Sequence, residues 1–134
     1  MSIYLKNPAG KTINLSNGHW SVYLTLAQCF GWKPTGTQRP PSVPLSLEWK
    51  NGYDSSDGQI VTDADAKSLA QILHAAALHE KLGIALTDII LNIEQQVQLA
   101  GANIPENMRM KPSDFNEEFS PLLMFLYQGT FSIE

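Results

Sequence analysis

The sequence is poor in the residues that do chemistry. One cysteine, Cys29, stands among 134 residues, so no disulfide can form within the chain, which fits a reducing compartment. Charged residues are scarce at 16 %, yet 43 % of the chain is hydrophobic, enough to build one real core, so disorder is not indicated. No run approaches the ~18 apolar residues needed to span a bilayer. The opening "MSIYLKNPAGK" places Asn7, Pro8 and Gly10 where a signal peptide would need its apolar stretch. The chain contains no GxSxG, no phosphate-binding glycine loop, no dinucleotide fingerprint and no Cys/His cluster. These absences lead us to expect a single cytoplasmic domain over residues 1–134, with no membrane partner, no cofactor, no metal and no catalytic residue that the sequence can name.

Charge excludes a further class. Residues 1–47 hold Lys6, Lys11, Lys33 and Arg39 and no acid, whereas the remainder holds five basic residues against thirteen acids, so +4 and −8 make the net −4. Four cations over that length are too thin for a nucleic-acid stripe, and the overall acidity argues against one. The asymmetry can steer a protein partner.

What is present is local structure with marked ends. Ile3 and Leu5 alternate with Tyr4 and Lys6, Ile13 and Leu15 with Thr12 and Asn14, and "NPAG" between them supplies a tight turn, so a hairpin with one apolar face is expected. A helix follows, capped by Ser16 or Asn17, with Trp20, Leu24, Ala27 and Phe30 in a stripe beside Tyr23. Gly31 is placed for a left-handed cap, Trp32 for packing back onto the last turn, and Pro34 prevents continuation. Residues 33–48, "KPTGTQRPPSVPLSLE", carry four prolines and read as an extended connector, with "LSLEW" as a possible short strand. A second helix starts after Thr62, carrying Ala66, Leu69, Leu73, Ala76 and Ala77 on one face and stopping near Gly83. A third spans 84–100, apolar on more than one face, and is the expected homodimer contact. The fourth begins at Ser113, or at Ser120 with Pro121 as its first residue, and "TFSIE" closes the chain as a strand. The expected fold is α+β: about four helices packed with a small antiparallel sheet made of the N-terminal hairpin and short central and C-terminal strands.

The acidic stretch "NGYDSSDGQIVTDADAKSLAQIL" invites a calcium loop. Setting Gly58 at its sixth position puts Asp57 and Ser55 at ligand positions, but Tyr53 and Ala64 fall where the first and the bidentate ligands belong. A turn at Asp57-Gly58, a short strand at Ile60-Val61 and a cap at Thr62 account for more residues, with Asp63 and Asp65 favoured by the helix dipole. His74 and His79 lie about 140° apart on a helix and cannot share an ion unaided. His19 is expected exposed at a helix start. Cys29, about 15 Å from it along the axis, is expected to be a small buried residue rather than a nucleophile.

One cluster is left over. Trp20, Trp32 and Trp49 fall close together with Tyr53, and Arg39 lies in the proline segment between them. Such residues build cores, and aromatics beside arginine also mark binding hot spots. Trp32, Arg39, Trp49 and Tyr53 are the candidate binding residues. The "RPPSVP" spacing is that of polyproline ligands as well as of stiff connectors.

"W--Y-TLAQCFGWKPTGT", "W-NGYDSSDGQIVTDADAKSLAQIL" and "F-YQGTFSI" together resemble a group of small uncharacterised bacterial proteins. The resemblance rests on Gly31, Trp32, Pro34, Gly36, Thr37, Tyr53, Asp57, Gly58, Gln59, Val61, Asp65 and Ala66. It implies a bacterial cytosolic protein and no particular activity. The sequence thus leads to a non-catalytic interaction or accessory domain, inhibitor- or immunity-like, with an unidentified protein partner. The alternative is a small-molecule-binding or hydrolytic protein whose site is assembled from residues distant in sequence.

Overall fold

The computed structural model describes residues 2–78, 89, 91, 95 and 112–134, with the backbone alone for 112–116. β1 (Ser2–Lys6) and β2 (Thr12–Ser16) form the hairpin, with Ile3 opposite Leu15 and Leu5 opposite Ile13. The amphipathic alternation decides the sheet's two faces. Ile3, Leu5 and Leu15 are buried, whereas Ser2, Tyr4, Lys6, Thr12 and Asn14 face outward.

Helix α1 (Asn17–Cys29) starts where Ser16 accepts the His19 amide at 3.1 Å. It ends in a Schellman turn: the Trp32 amide bonds the Ala27 carbonyl at 2.9 Å and the Gly31 amide bonds that of Gln28 at 3.1 Å. Gly31 takes φ +96°, which a side chain resists, and Trp32 packs back against the core, buried. Two expectations on this helix need correction. Cys29 is exposed, because it lies about 200° around the helix from buried Ala27. His19 is half-buried, its ring nitrogen 2.9 Å from the Glu118 carboxylate, a partner 99 residues away that local pattern cannot reveal.

After the connector come β3 (Gln59–Val61) and α2 (Asp63–Ala77), the latter capped by Thr62 Oγ1, which accepts the Asp65 amide at 3.3 Å. Ala66, Leu69, Ala70, Leu73 and Ala76 are fully buried; each large aliphatic side chain hidden in this way is worth about 1.5–3 kcal/mol. The helix ends before the expected stop at Gly83, which lies outside the described residues. So does most of the expected helix over 84–100 and its subunit contact; of it, Ile89 is buried and Leu91 exposed. Three helices, not four, are present among the described residues.

The last helix, α3 (Pro112–Tyr127), runs through Pro121 rather than starting there. Ser120-Pro121 has the local form of a helix start, but the preceding turn is held by tertiary contacts. Glu118 bonds His19 and Tyr23, and Phe119 packs against the core. β4 (Phe131–Ile133) then inserts between the hairpin and β3, giving the antiparallel order β2-β1-β4-β3. Phe131 meets Trp20 and Phe125 edge to face, with ring centres 6.4 and 5.5 Å apart, and so joins the sheet to α1 and α3. No helix among the described residues is long and apolar enough to cross a membrane.

Candidate functional site

Residues 32–58 form a strap that crosses from the end of α1 to β3, and one carboxylate organises its first half. Asp65 sits in the first turn of α2, almost fully buried. Its oxygens accept hydrogen bonds from the Thr35 amide and hydroxyl, the Gly36 amide and the Tyr53 hydroxyl, at 2.5 to 3.2 Å. Tyr53 accepts the Gly36 amide in turn, at 3.1 Å, and Trp32 stands edge to face on its ring, centres 5.0 Å apart. Trp32 is tied to α2 by its indole nitrogen, which donates to Ser68 Oγ at 3.0 Å. Gly36 has to be small here: a Cβ would come within 2.8 Å of Asn51 Cβ.

The electrostatics follow from the geometry. Burial alone would push the Asp65 carboxyl up, but the Tyr53 hydroxyl, the Thr35 amide and hydroxyl and the Gly36 amide outweigh it and hold the group below its ordinary value. The positive end of α2 acts in the same sense. Tyr53 moves the other way, raised first by burial and then by its bond to the ionised Asp65. The pair is therefore a carboxylate and a neutral phenol at any physiological pH. Asp65 was expected as a dipole-compensating cap residue. Its own amide does bond the Thr62 cap, but its side chain serves the strap instead.

The second half of the strap is built from two tight turns, Val43 bonding back to Pro40 and Leu47 to Pro44. Arg39 closes both into one unit: its Nη1 donates to the Pro44 carbonyl at 2.6 Å and to the Leu47 carbonyl. "LSLEW" is accordingly turn and coil rather than strand, because the Pro44 turn bends the chain away from any ladder. Trp49 is half-buried, its indole nitrogen donating to the Thr37 carbonyl at 3.2 Å. Ser42 Oγ donates to the Asp57 carbonyl at 3.0 Å. The acidic turn is filled from within. Gln59 is fully buried, donates to the Ser55 and Gly52 carbonyls at 2.6 and 3.3 Å and accepts the Asp57 amide at 2.9 Å. Its amide occupies the centre of the loop that a cation would need.

The four candidate binding residues thus belong to one strap but not to one surface. Trp32 and Tyr53 meet over Asp65, whereas Arg39 and Trp49 are staples further along. What the strap presents to solvent includes Leu45, 90 % exposed, and Leu47, 57 % exposed, with Lys33, Glu48, Lys50, Asp54 and Asp57 exposed on the same segment. Reasoning from sequence missed both leucines. Their alternation with Ser46 and Glu48 gives them the apolar face of a strand, and the signal against it was the prolines just before them, which leave that strand no ladder to join. Beside the strap, a cleft of about 330 Å³ opens between α1 and residues 52–54, lined by Ser21, Leu24, Thr25, Gln28, Tyr53 and Asp54.

No protein-family model matches the chain, and no curated protein and no solved structure does so either.

Proposed function

We propose that the chain is a non-catalytic protein-interaction domain, inhibitor- or immunity-like, of a bacterial cytosolic protein. In this reading the tip of the strap docks into a partner. The observation that carries it is Leu45 and Leu47 held out in solvent on a loop whose two turns are pinned by Arg39. Exposed leucines are ordinary singly; two on one clamped loop form an apolar knob. A loop already fixed in its bound shape loses little entropy on docking. Exposed charges of both signs flank the knob in sequence, Glu48 beside Lys50, so its fit to a partner rests on apolar contact.

Affinity capture from the native cell with wild type and with the Leu45→Ser/Leu47→Ser double variant tests this. The reading requires a protein retained by wild type and lost by a variant of unchanged melting temperature. Identical captures by both would refute it. A second reading, small-molecule binding, is favoured by the cleft beside Tyr53, whose 330 Å³ is within the range of ligand pockets. A metabolite-library thermal shift abolished by Thr25→Trp would support that reading over the first.

A further inference from the structure

The two edges of the sheet differ. Beyond β3 lies the strap: the Gln38 amide donates to the Ile60 carbonyl at 2.8 Å and the Ile60 amide returns to Gln38 at 3.4 Å. β2 is the other edge and, among the described residues, pairs only with β1. Register decides which of its backbone groups face outward. The Asn7 amide bonds the Lys11 carbonyl at 3.0 Å, so antiparallel alternation makes Leu5/Ile13 and Ile3/Leu15 the hydrogen-bonded pairs. Tyr4 agrees, since its amide and carbonyl bond Glu134 on the far side of β1, each at 2.8 Å. The amides and carbonyls of Thr12 and Asn14 therefore point out along the open edge, and no described residue bonds them.

Edges are normally blunted by proline, an inward charge, a bulge or a covering segment. Thr12–Ser16, "TINLS", carries no proline and no charge, and among the described residues no strand pairs with its outer edge. We propose that the chain self-associates through β2, which pairs antiparallel with β2 of a second copy and joins the two four-stranded sheets. The outward-facing groups set the register, with Asn14 opposite its own copy and Thr12 opposite the copy's Ser16. This arrangement is two-fold symmetric and uses the whole strand. It keeps Ile13 and Leu15 of both copies on the core side, so that Ile13, only half-buried at the edge, becomes covered. Charge favours a copy over a charged strand from elsewhere. The strand carries no charge, and the two Lys11 residues would sit about 20 Å apart at opposite ends of the join. Tyr4, exposed in the same row as Asn14, continues across the join on the open face. A five-residue join is small beside the ~1,000 Å² of a stable interface, so association is concentration-dependent.

Sedimentation velocity from low to high micromolar concentration tests the proposal, on wild type, Asn14→Lys, Asn14→Glu and an equimolar mixture of the two variants. Asn14 is exposed and outward-facing, so neither change touches a bond to β1, and circular dichroism checks that each variant is folded. Asn14→Pro, which removes the outward amide without removing a donor to β1, is the second probe. The mass of wild type is expected to rise from 14.8 kDa towards twice that value. Each single variant is expected to stay monomeric, because like charges then face each other across the axis, and the mixture is expected to associate again. A wild type that remains monomeric throughout overturns the proposal. So do folded Lys, Glu and Pro variants that associate as wild type does, or a mixture that fails to recover.

Discussion

The hairpin with α1 and the strap with α2 occupy neighbouring stretches of chain, and they are held together in opposite ways. In the first, the decisive bonds are local: Ser16 caps a residue three positions on, and Trp32 closes on Ala27 five back. In the second, Asp65 gathers groups 12, 29 and 30 residues away. Local bonds fix where an element starts and stops. The Asp65 hub fixes where an irregular segment of many prolines lies, which no periodicity could do.

If that difference is real, removing the hub should cost most. Asp65→Ala strands the Thr35 and Gly36 amides and the Tyr53 hydroxyl, with an expected loss of about 3 kcal/mol in urea unfolding. Asp65→Asn keeps an acceptor and should lose about half of that. A loss under about 0.5 kcal/mol for the alanine variant would mean that the strap is held elsewhere.

The local side of the comparison predicts a smaller effect. Gly31→Val places a β-branched side chain at φ +96°, and since a Cβ there meets nothing within 4 Å, only backbone strain acts. The expected loss is at least ~1 kcal/mol, less for Gly31→Asn, measured in the same unfolding experiment.

Acid and alkali should act on the hub from opposite sides. The Asp65 value is lowered on folding, so its stabilisation is present above the unfolded value of about 4 and is lost as pH falls through the folded one. The Tyr53 value is raised, so its contribution is complete below about 10 and is lost as pH climbs towards the folded value. Stability against pH should fall off on both sides. Tyr53→Phe should remove the alkaline limb attributable to this residue, and an unchanged alkaline profile would contradict the assignment.

Arg39→Ala should scarcely alter stability, by about 1 kcal/mol or less, because its bonds lie at the surface. Its effect should appear in binding, through a loosened tip. Smallest of all is the response to calcium. With the Gln59 amide filling the acidic loop, millimolar calcium should leave the melting temperature where it was.

The same contrast explains what could be read beforehand. The hairpin, the Gly31 cap, the Thr62 cap and the face of α2 all rest on neighbours in sequence, and each was legible. The Asp57-Gly58 turn was legible too. The hub was not, although its members Gly36, Tyr53 and Asp65 were singled out by a resemblance. Nothing in an aspartate near a helix start distinguishes a cap from a buried acceptor when its donors are thirty residues away. His19 misled for the same reason, its partner Glu118 being in another helix. Cys29 was misplaced by composition, since small sulfur residues are usually buried and helical angle decides the individual case. Leu45 and Leu47 failed differently: hydrophobicity implies burial on average, and a loop closed on its own arginine can hold such side chains outward.

The central claim is that the strap is a fixed scaffold presenting an apolar tip, and amide hydrogen exchange on the wild-type protein reads this most directly. The amides of Thr35, Gly36, Gln38, Val43 and Leu47 all donate within the fold. They are predicted to exchange far more slowly than in a free peptide, and those of Thr35 and Gly36 are predicted to lose that protection selectively in Asp65→Asn. Peptide-like exchange at all five in wild type, with α1 and α2 still protected, would contradict the account.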